Sequence, residues 1–154
     1  MEKLIRLHLG CGPKKWPGYL NIDSEMDLRE LPFEDEAVDE IQAIHLFEHL
    51  PRAEVGDYLS EWSRILKPGG QLILEMPDLE KICAMILAGE RRQHLTLLGI
   101  FGDARYGDPL MLHRWAWAQW ELEKVVGVFG FDVTFEDPVF HFLQRDLRMV
   151  AFRR

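Results

Sequence analysis

Apolar positions fall into short blocks separated by turn-forming residues, and the spacing inside each block predicts its element. Leu4, Ile5, Leu7 and Leu9 form a brief run that stops at Gly10-Cys11-Gly12, which predicts a first strand over residues 4–9. A second run over residues 19–23 ends in the carboxylate of Asp23. Only residues 10–18 lie between the two, whereas a parallel crossover ordinarily needs a dozen or more. Pro17 also pushes Trp16 away from helical dihedrals. A loop or a single turn is therefore expected where a helix usually sits. Asp27 follows after another gap too short for a crossover, and is expected on a loop or a rudimentary strand. Glu34-Asp35-Glu36 reads as a solvated turn before a buried strand over residues 38–44.

Pro51 and Arg52 open a helix in which Val55, Tyr58, Leu59, Trp62, Ile65 and Leu66 keep the three-four spacing of one buried face. Lys67-Pro68-Gly69-Gly70 stops it, and residues 71–76 predict a strand ending at Pro77-Asp78. Helical spacing returns over residues 79–87. Glycines and Pro109 punctuate residues 88–117 and leave them without a readable period. Leu122, Val125, Val126 and Phe129 define a last helix, with Gly130 in the place of a left-handed cap. Residues 132–142 and 147–152 are expected as an antiparallel pair around residues 143–146. The series predicts an α/β three-layer sandwich, a mostly parallel sheet with one antiparallel edge strand and with its first crossover helices reduced or missing.

Composition narrows the class. At 154 residues with 47% hydrophobic content, residues 1–154 are expected to form a single domain with one sizeable core. A net charge of −8 disfavours a general nucleic-acid binder, which needs a basic face. Cys11 and Cys83 do not suggest a disulfide framework, and no apolar run is long enough for a signal core or a membrane span, so a reducing cytoplasm is expected.

Strand, glycine loop, strand and acid form a nucleotide-binding arrangement. Glycines at the carboxyl end of a strand let a ligand approach the backbone, and a carboxylate at the tip of the next strand can hold ribose hydroxyls. Gly10 and Gly12 alone could be a tight turn; Asp23 and Asp27 favour the ligand. Cys11 reads as a small space-filler, since no base is paired with it in the sequence.

The ordered series Leu7-His8-Leu9-Gly10-Cys11-Gly12, Asp23, residues 27–35, Leu46-Phe47-Glu48-His49-Leu50 and Leu66-Lys67-Pro68-Gly69-Gly70 resembles the class I S-adenosylmethionine-dependent methyltransferases, above all their small type 11 group. That resemblance implies S-adenosyl-L-methionine as cofactor. It implies that Gly10, Cys11 and Gly12 pass under its methionine end and that Asp23 takes the ribose hydroxyls. Asp27 would accept from the adenine amino group, and the backbone of Leu28 would read the ring edge. His8 stands where the family usually has an acid, and His45 is placed beside the cofactor at a strand end. The reduced helices would leave the cofactor floor open, which makes a homodimer an expected partner arrangement.

The acceptor is unidentified and expected to be a small molecule or of glycan type, contacted by residues 45–50 and 102–117. His113, next to Arg114 and Trp115, is the first candidate base and His49 the second. Residues 45–49 also match H-x-x-E-H, the inverted zinc-protease signature. That chemistry needs a continuous helix around both histidines, which Pro51 cuts short, so no metal is assigned. Two other readings stay open. One is a non-catalytic protein that binds S-adenosylmethionine or a nucleotide. The other is a nicotinamide-dependent oxidoreductase, which needs a helix N-terminus after the glycines to hold a pyrophosphate.

Overall fold

A computed structural model describes residues 4–154. The strands are β1 (Arg6–Leu9), β2 (Leu20–Ile22), β3 (Val38–Ile44), β4 (Leu66–Pro77), β5 (Phe131–Glu136) and β6 (Asp146–Arg153), joined in one sheet of order β2-β1-β3-β4-β6-β5. The first four run parallel, and β6 enters between β4 and β5 antiparallel to both. The longer helices are α1 (Val55–Ile65), α2 (Leu79–Leu87) and α4 (Gln119–Val128), with a short α3 (Leu97–Phe101) between the last two. No described helix is long and apolar enough to cross a membrane.

Alternation along the strands decides the faces. Leu7, Ile41, Leu72 and Ala151 lie in register across the sheet, as do Leu9, Ala43, Leu74 and Met149, and all eight belong to one buried cluster. That cluster takes Val55, Leu59, Trp62 and Ile65 from α1 and Leu122 and Val126 from α4, so these two helices cover this face. The alternate positions, His8, Gln42, Ile73 and Val150, face the other way. His8 on this second face stacks on Trp16, which stacks on Phe140, so two irregular loops lie over it.

The expected missing crossover is observed: residues 10–18 contain turns and no helix. Residues 23–37 likewise carry turns only, and Asp27 sits among them. The stop at Lys67–Gly70 is less abrupt than the glycines suggest. β4 already pairs Leu66 with Val38, leaves the ladder over the Pro-Gly-Gly turn, and resumes with Gln71 opposite Glu40. Gly130 takes the expected left-handed conformation at φ 87°. The strand expected over residues 132–142 ends at Glu136, because the N–H groups of Val139, Phe140 and His141 bond the Glu75 carboxylate instead of a neighbouring strand. The connection to β6 is correspondingly longer than residues 143–146.

Trp62 ties the helical layer to the ligand side. Its ring is fully buried and its Nε1 donates to the Leu28 carbonyl at 3.0 Å, which fixes the turn after β2. Trp62→Phe removes the donor and part of the buried indole. It is expected to cost about 2–3 kcal/mol of stability, hydrogen bond and cavity together, read as a lower urea midpoint at unchanged slope.

Candidate active site

Because β1 to β4 are parallel, their carboxyl ends line up, and Gly10, Asp23, His45 and Asp78 follow directly on these four ends. Gly10 and Gly12 have φ of 64° and 51°, in the left-handed region. The Gly10 and Cys11 N–H groups both donate to the Ile22 carbonyl, at 2.8 and 3.3 Å, which hooks the loop onto the end of β2. A Cβ on Gly10 would meet Leu46 Cδ1 at 2.8 Å. Gly10→Ala is therefore expected to cost about 1–2 kcal/mol for the backbone conformation alone. The contact adds to that by pushing on Leu46, and thermal melting measures the sum.

The loop after the glycines is held by Asn21. Its side chain accepts from Trp16 N at 2.8 Å and donates to the Trp16 and Tyr19 carbonyls, both at 3.0 Å. The same oxygen lies 3.1 Å from His8 Nδ1, and the His8 and Trp16 rings stack at 3.8 Å. Burial lowers the His8 pKa, more than Asn21 and Asp23 raise it. His8 is thus a buried, packed side chain outside the cavity lining. Cys11 is buried beneath the loop and points its Sγ at the Gly12 carbonyl; burial, followed by nearby Asp23 and Glu25, raises its pKa.

Asp23 stands at the tip of β2, where one oxygen caps its own turn by accepting from Ser24 N at 2.9 Å. Asp27 is gripped by Arg29, whose Nε and Nη2 reach its two oxygens at 2.9 and 2.8 Å. Those bonds hold the Asp27 pKa down at about 2. Leu28 is buried beside it.

The opposite wall begins at His45, which has φ of 52°. Its Nδ1 is 3.0 Å from Glu48 Oε1 and its Nε2 is 3.2 Å from Asp146 Oδ2. Burial opposes charge on this ring, but the two carboxylates outweigh it and raise the pKa to about 9, so His45 is an imidazolium at neutral pH. Glu48 and His49 share the single turn Phe47–His49. The Glu48 carbonyl accepts from Arg114 N at 2.8 Å and Trp115 N at 3.3 Å, which straps the preceding segment over the site. His49 Nδ1 bonds the Leu112 carbonyl at 3.1 Å. His113 is turned inward, with Nδ1 3.0 Å from the Gly99 carbonyl and Nε2 4.0 Å from Glu48 Oε1. Burial lowers its pKa against the pull of Glu48.

These walls enclose a cavity of about 550 Å³, the size of a nucleoside-type ligand site. Gly10, Gly12, Asp23, Asp27, Leu28, His45 and His49 all line it, while His8, Cys11 and His113 stand behind the lining. The strap adds Asp108, Leu110, Met111 and Arg114, and α1 adds Tyr58. Sequence reasoning missed Asn21 and Glu48. The signals for Glu48 were its place inside H-x-x-E-H and in the Leu46–Leu50 stretch of the family resemblance, neither of which gave it a role, and the structure puts it on the single turn Phe47–His49 instead of a continuous helix.

Residues 14–74 match a family model described as a methyltransferase domain, beginning just past the glycine loop. No curated protein matches the sequence. A SAM-dependent methyltransferase from Archaeoglobus fulgidus superposes with a TM-score of 0.68 at 16% identity, covering 97% of this chain and 86% of that one. One from Methanosarcina mazei gives 0.67 at 16% identity, with 99% and 94% covered. The Burkholderia thailandensis 1,6-didemethyltoxoflavin-N1-methyltransferase, solved with S-adenosylhomocysteine bound, gives 0.56 at 15% identity, with 86% and 51% covered. Residues 14–74 thus match a methyltransferase-domain model, and the fold of the whole chain is the one seen in solved S-adenosylmethionine-dependent methyltransferases.

Proposed function

We propose that this protein transfers a methyl group from S-adenosylmethionine to a hydroxyl or amine of a small-molecule or glycan-type acceptor. One observation carries this reading. A single cavity joins a bare glycine loop and the Asp23 carboxylate at one end to a wall containing His45 and His49 at the other. The residues fit a nucleoside with a zwitterionic tail. Side chains are absent at Gly10 and Gly12, and the Asp23 carboxylate is within the lining. Asp27 and Leu28 flank the same end, so an adenine amino group would share the Asp27 oxygens with Arg29.

S-adenosylmethionine supplies an electrophilic methyl on a sulfonium. The protein's tasks are then to align the acceptor, exclude water and receive a proton. Leu46, Leu50, Pro51, Leu110 and Met111 make the acceptor end largely apolar, which removes water from the approach. His49 lines the cavity with its Nδ1 on a carbonyl, leaving Nε2 to accept a proton from an acceptor group. His113 lies against it, ring to ring at 4.8 Å, and is the second acceptor of that proton.

A nicotinamide dinucleotide is the poorer ligand, because residues 10–18 provide no helix N-terminus for a pyrophosphate. A non-catalytic binder would present the same glycine loop and Asp23 to the cofactor and would differ only in turnover. Calorimetry against S-adenosylmethionine, S-adenosylhomocysteine and NAD tests the cofactor. Binding of the first two and not the third is expected, and the reverse order overturns the reading. Formation of S-adenosylhomocysteine with hydroxyl and amine acceptor panels separates the enzyme from the binder.

A further inference from the structure

Behind the part of the cavity wall that His49 forms, Glu48, His49 and His113 bring one ligand-capable atom each to within 4.8 Å of the others. Glu48 is only 2% exposed, and neither of its carboxylate oxygens accepts a hydrogen bond from the protein. The His45 ring lies 3.0 Å away as an ion pair, outside hydrogen-bond geometry, and is shared with Asp146. A buried carboxylate whose one close charge partner is an imidazolium shared with Asp146 keeps lone pairs that no described donor takes, and a second cation could be held on them.

The two imidazoles are set up for the same partner. Nδ1 of His49 and Nδ1 of His113 each face a backbone carbonyl, at 3.1 and 3.0 Å. A carbonyl oxygen only accepts, so each Nδ1 carries the proton, and in the neutral ring each Nε2 keeps a bare lone pair. This is the outer-shell bond that orients histidines bound to metals. Both carbonyls belong to segments tied down elsewhere. Leu112 lies in the strap, which the Glu48 carbonyl holds through Arg114 and Trp115 and the Phe101 carbonyl holds through His113 N, and Gly99 lies in α3.

We propose that Glu48, His49 and His113 form a two-histidine, one-carboxylate site for a divalent transition-metal ion of the zinc class, with its remaining positions open toward the cavity. Imidazole and carboxylate together suit such ions, and bonds of about 2.0–2.2 Å put ligand atoms on one tetrahedral ion about 3.3 Å apart. The three groups therefore close in by roughly an ångström on loading, through side-chain torsions. An oxygen of the acceptor could take an open position, where the ion would make a hydroxyl easier to deprotonate. That last role rests on the methyl-transfer reading, and in the loaded protein it would replace proton acceptance by the His49 and His113 Nε2 lone pairs, which the ion occupies; binding of the ion itself does not rest on that reading.

The neighbouring group of His45, His141 and Asp146 is equally close-set but already satisfied. Both ring nitrogens of His45 face carboxylates, and Asp146 accepts from Arg145 and from Phe142 N. It has no bare lone-pair set to offer an ion. His45 and His49, the pair that H-x-x-E-H would enlist, are thus divided, and His113 replaces His45 at the site.

The test uses the untagged full chain, stripped with a chelator, and dialysed to equilibrium against Zn²⁺ and, separately, Co²⁺, whose visible absorption reports nitrogen and oxygen ligation. One ion per chain is expected. His49→Ala, in which a partly exposed side chain is lost, should bind at least about tenfold more weakly, as should Glu48→Gln. His141→Ala should bind like the parent. Zn²⁺ should raise the melting temperature of the parent and not of His49→Ala. Absence of saturable binding by the folded parent overturns the site, and so does equal binding by a folded His49→Ala/His113→Ala chain. S-adenosylhomocysteine calorimetry on the same samples separates the two proposals: metal without cofactor sinks methyl transfer alone, and cofactor without metal sinks this site alone.

Discussion

Glu75→Ala is expected to lower the unfolding free energy by about 3–5 kcal/mol, the range found when one partner of a buried ion pair is removed. Glu75 lies in β4 with no exposure. Its carboxylate accepts from Val139 N at 2.9 Å, Phe140 N at 2.8 Å, His141 N at 3.2 Å and Arg148 Nη1 at 3.1 Å. Alanine would leave the Arg148 guanidinium buried without this carboxylate and take from three loop N–H groups the acceptor that holds them to the sheet. The loop that carries Phe140 onto Trp16 would be released with them. Glu75→Gln keeps an acceptor oxygen and should fall between the two. An unfolding free energy from urea titration of Glu75→Ala within about 1 kcal/mol of the parent would show that the carboxylate does not organise this loop.

The second large effect is on binding. Asp23→Ala should weaken S-adenosylhomocysteine roughly ten- to a hundredfold, since hydrogen bonds to a charged acceptor contribute about 1.5–3 kcal/mol. Stability should hardly change, because the side chain bonds only Ser24 N of its own turn and lies at the rim of the sheet. Asp23→Asn keeps one acceptor oxygen and should recover part of the loss. Titration calorimetry reads both. Unchanged affinity in a folded Asp23→Ala protein would remove the ribose role from this residue.

Much of the strand-end geometry could be read from local pattern. The gap between Leu9 and Tyr19 is too short for a crossover helix whatever surrounds it, and the four apolar positions of α1 fall at helical spacing because they meet one sheet face. Residues 88–117 resisted because tertiary bonds, rather than periodicity, shape them. Their turns are set where His113 N meets the Phe101 carbonyl and Arg114 N meets that of Glu48, contacts between segments far apart in sequence. The apolar residues after Glu136 looked like more strand for a related reason. Alternation reports burial and is blind to which group takes the N–H, and here a side-chain carboxylate does.

At the site, the glycines and Asp23 were legible as a set, since their chemistry needs only the loop and the strand tip. His8 was not, because its partners Trp16 and Asn21 come from the irregular loop and the next strand. His113 was picked out by its neighbours Arg114 and Trp115, yet its ring faces Glu48, which only the folded strap reveals.

The placement of β6 has a consequence for synthesis on the ribosome. β5 leaves the exit tunnel before β6, but its only partner in the sheet is β6, and so is the partner on the outer side of β4. Until Asp146–Arg153 emerges, β5 is unpaired and the outer edge of β4 is open, the kind of surface that recruits other chains. The parallel half can assemble early, but closure of the sheet waits for a single late strand that joins both edges at once.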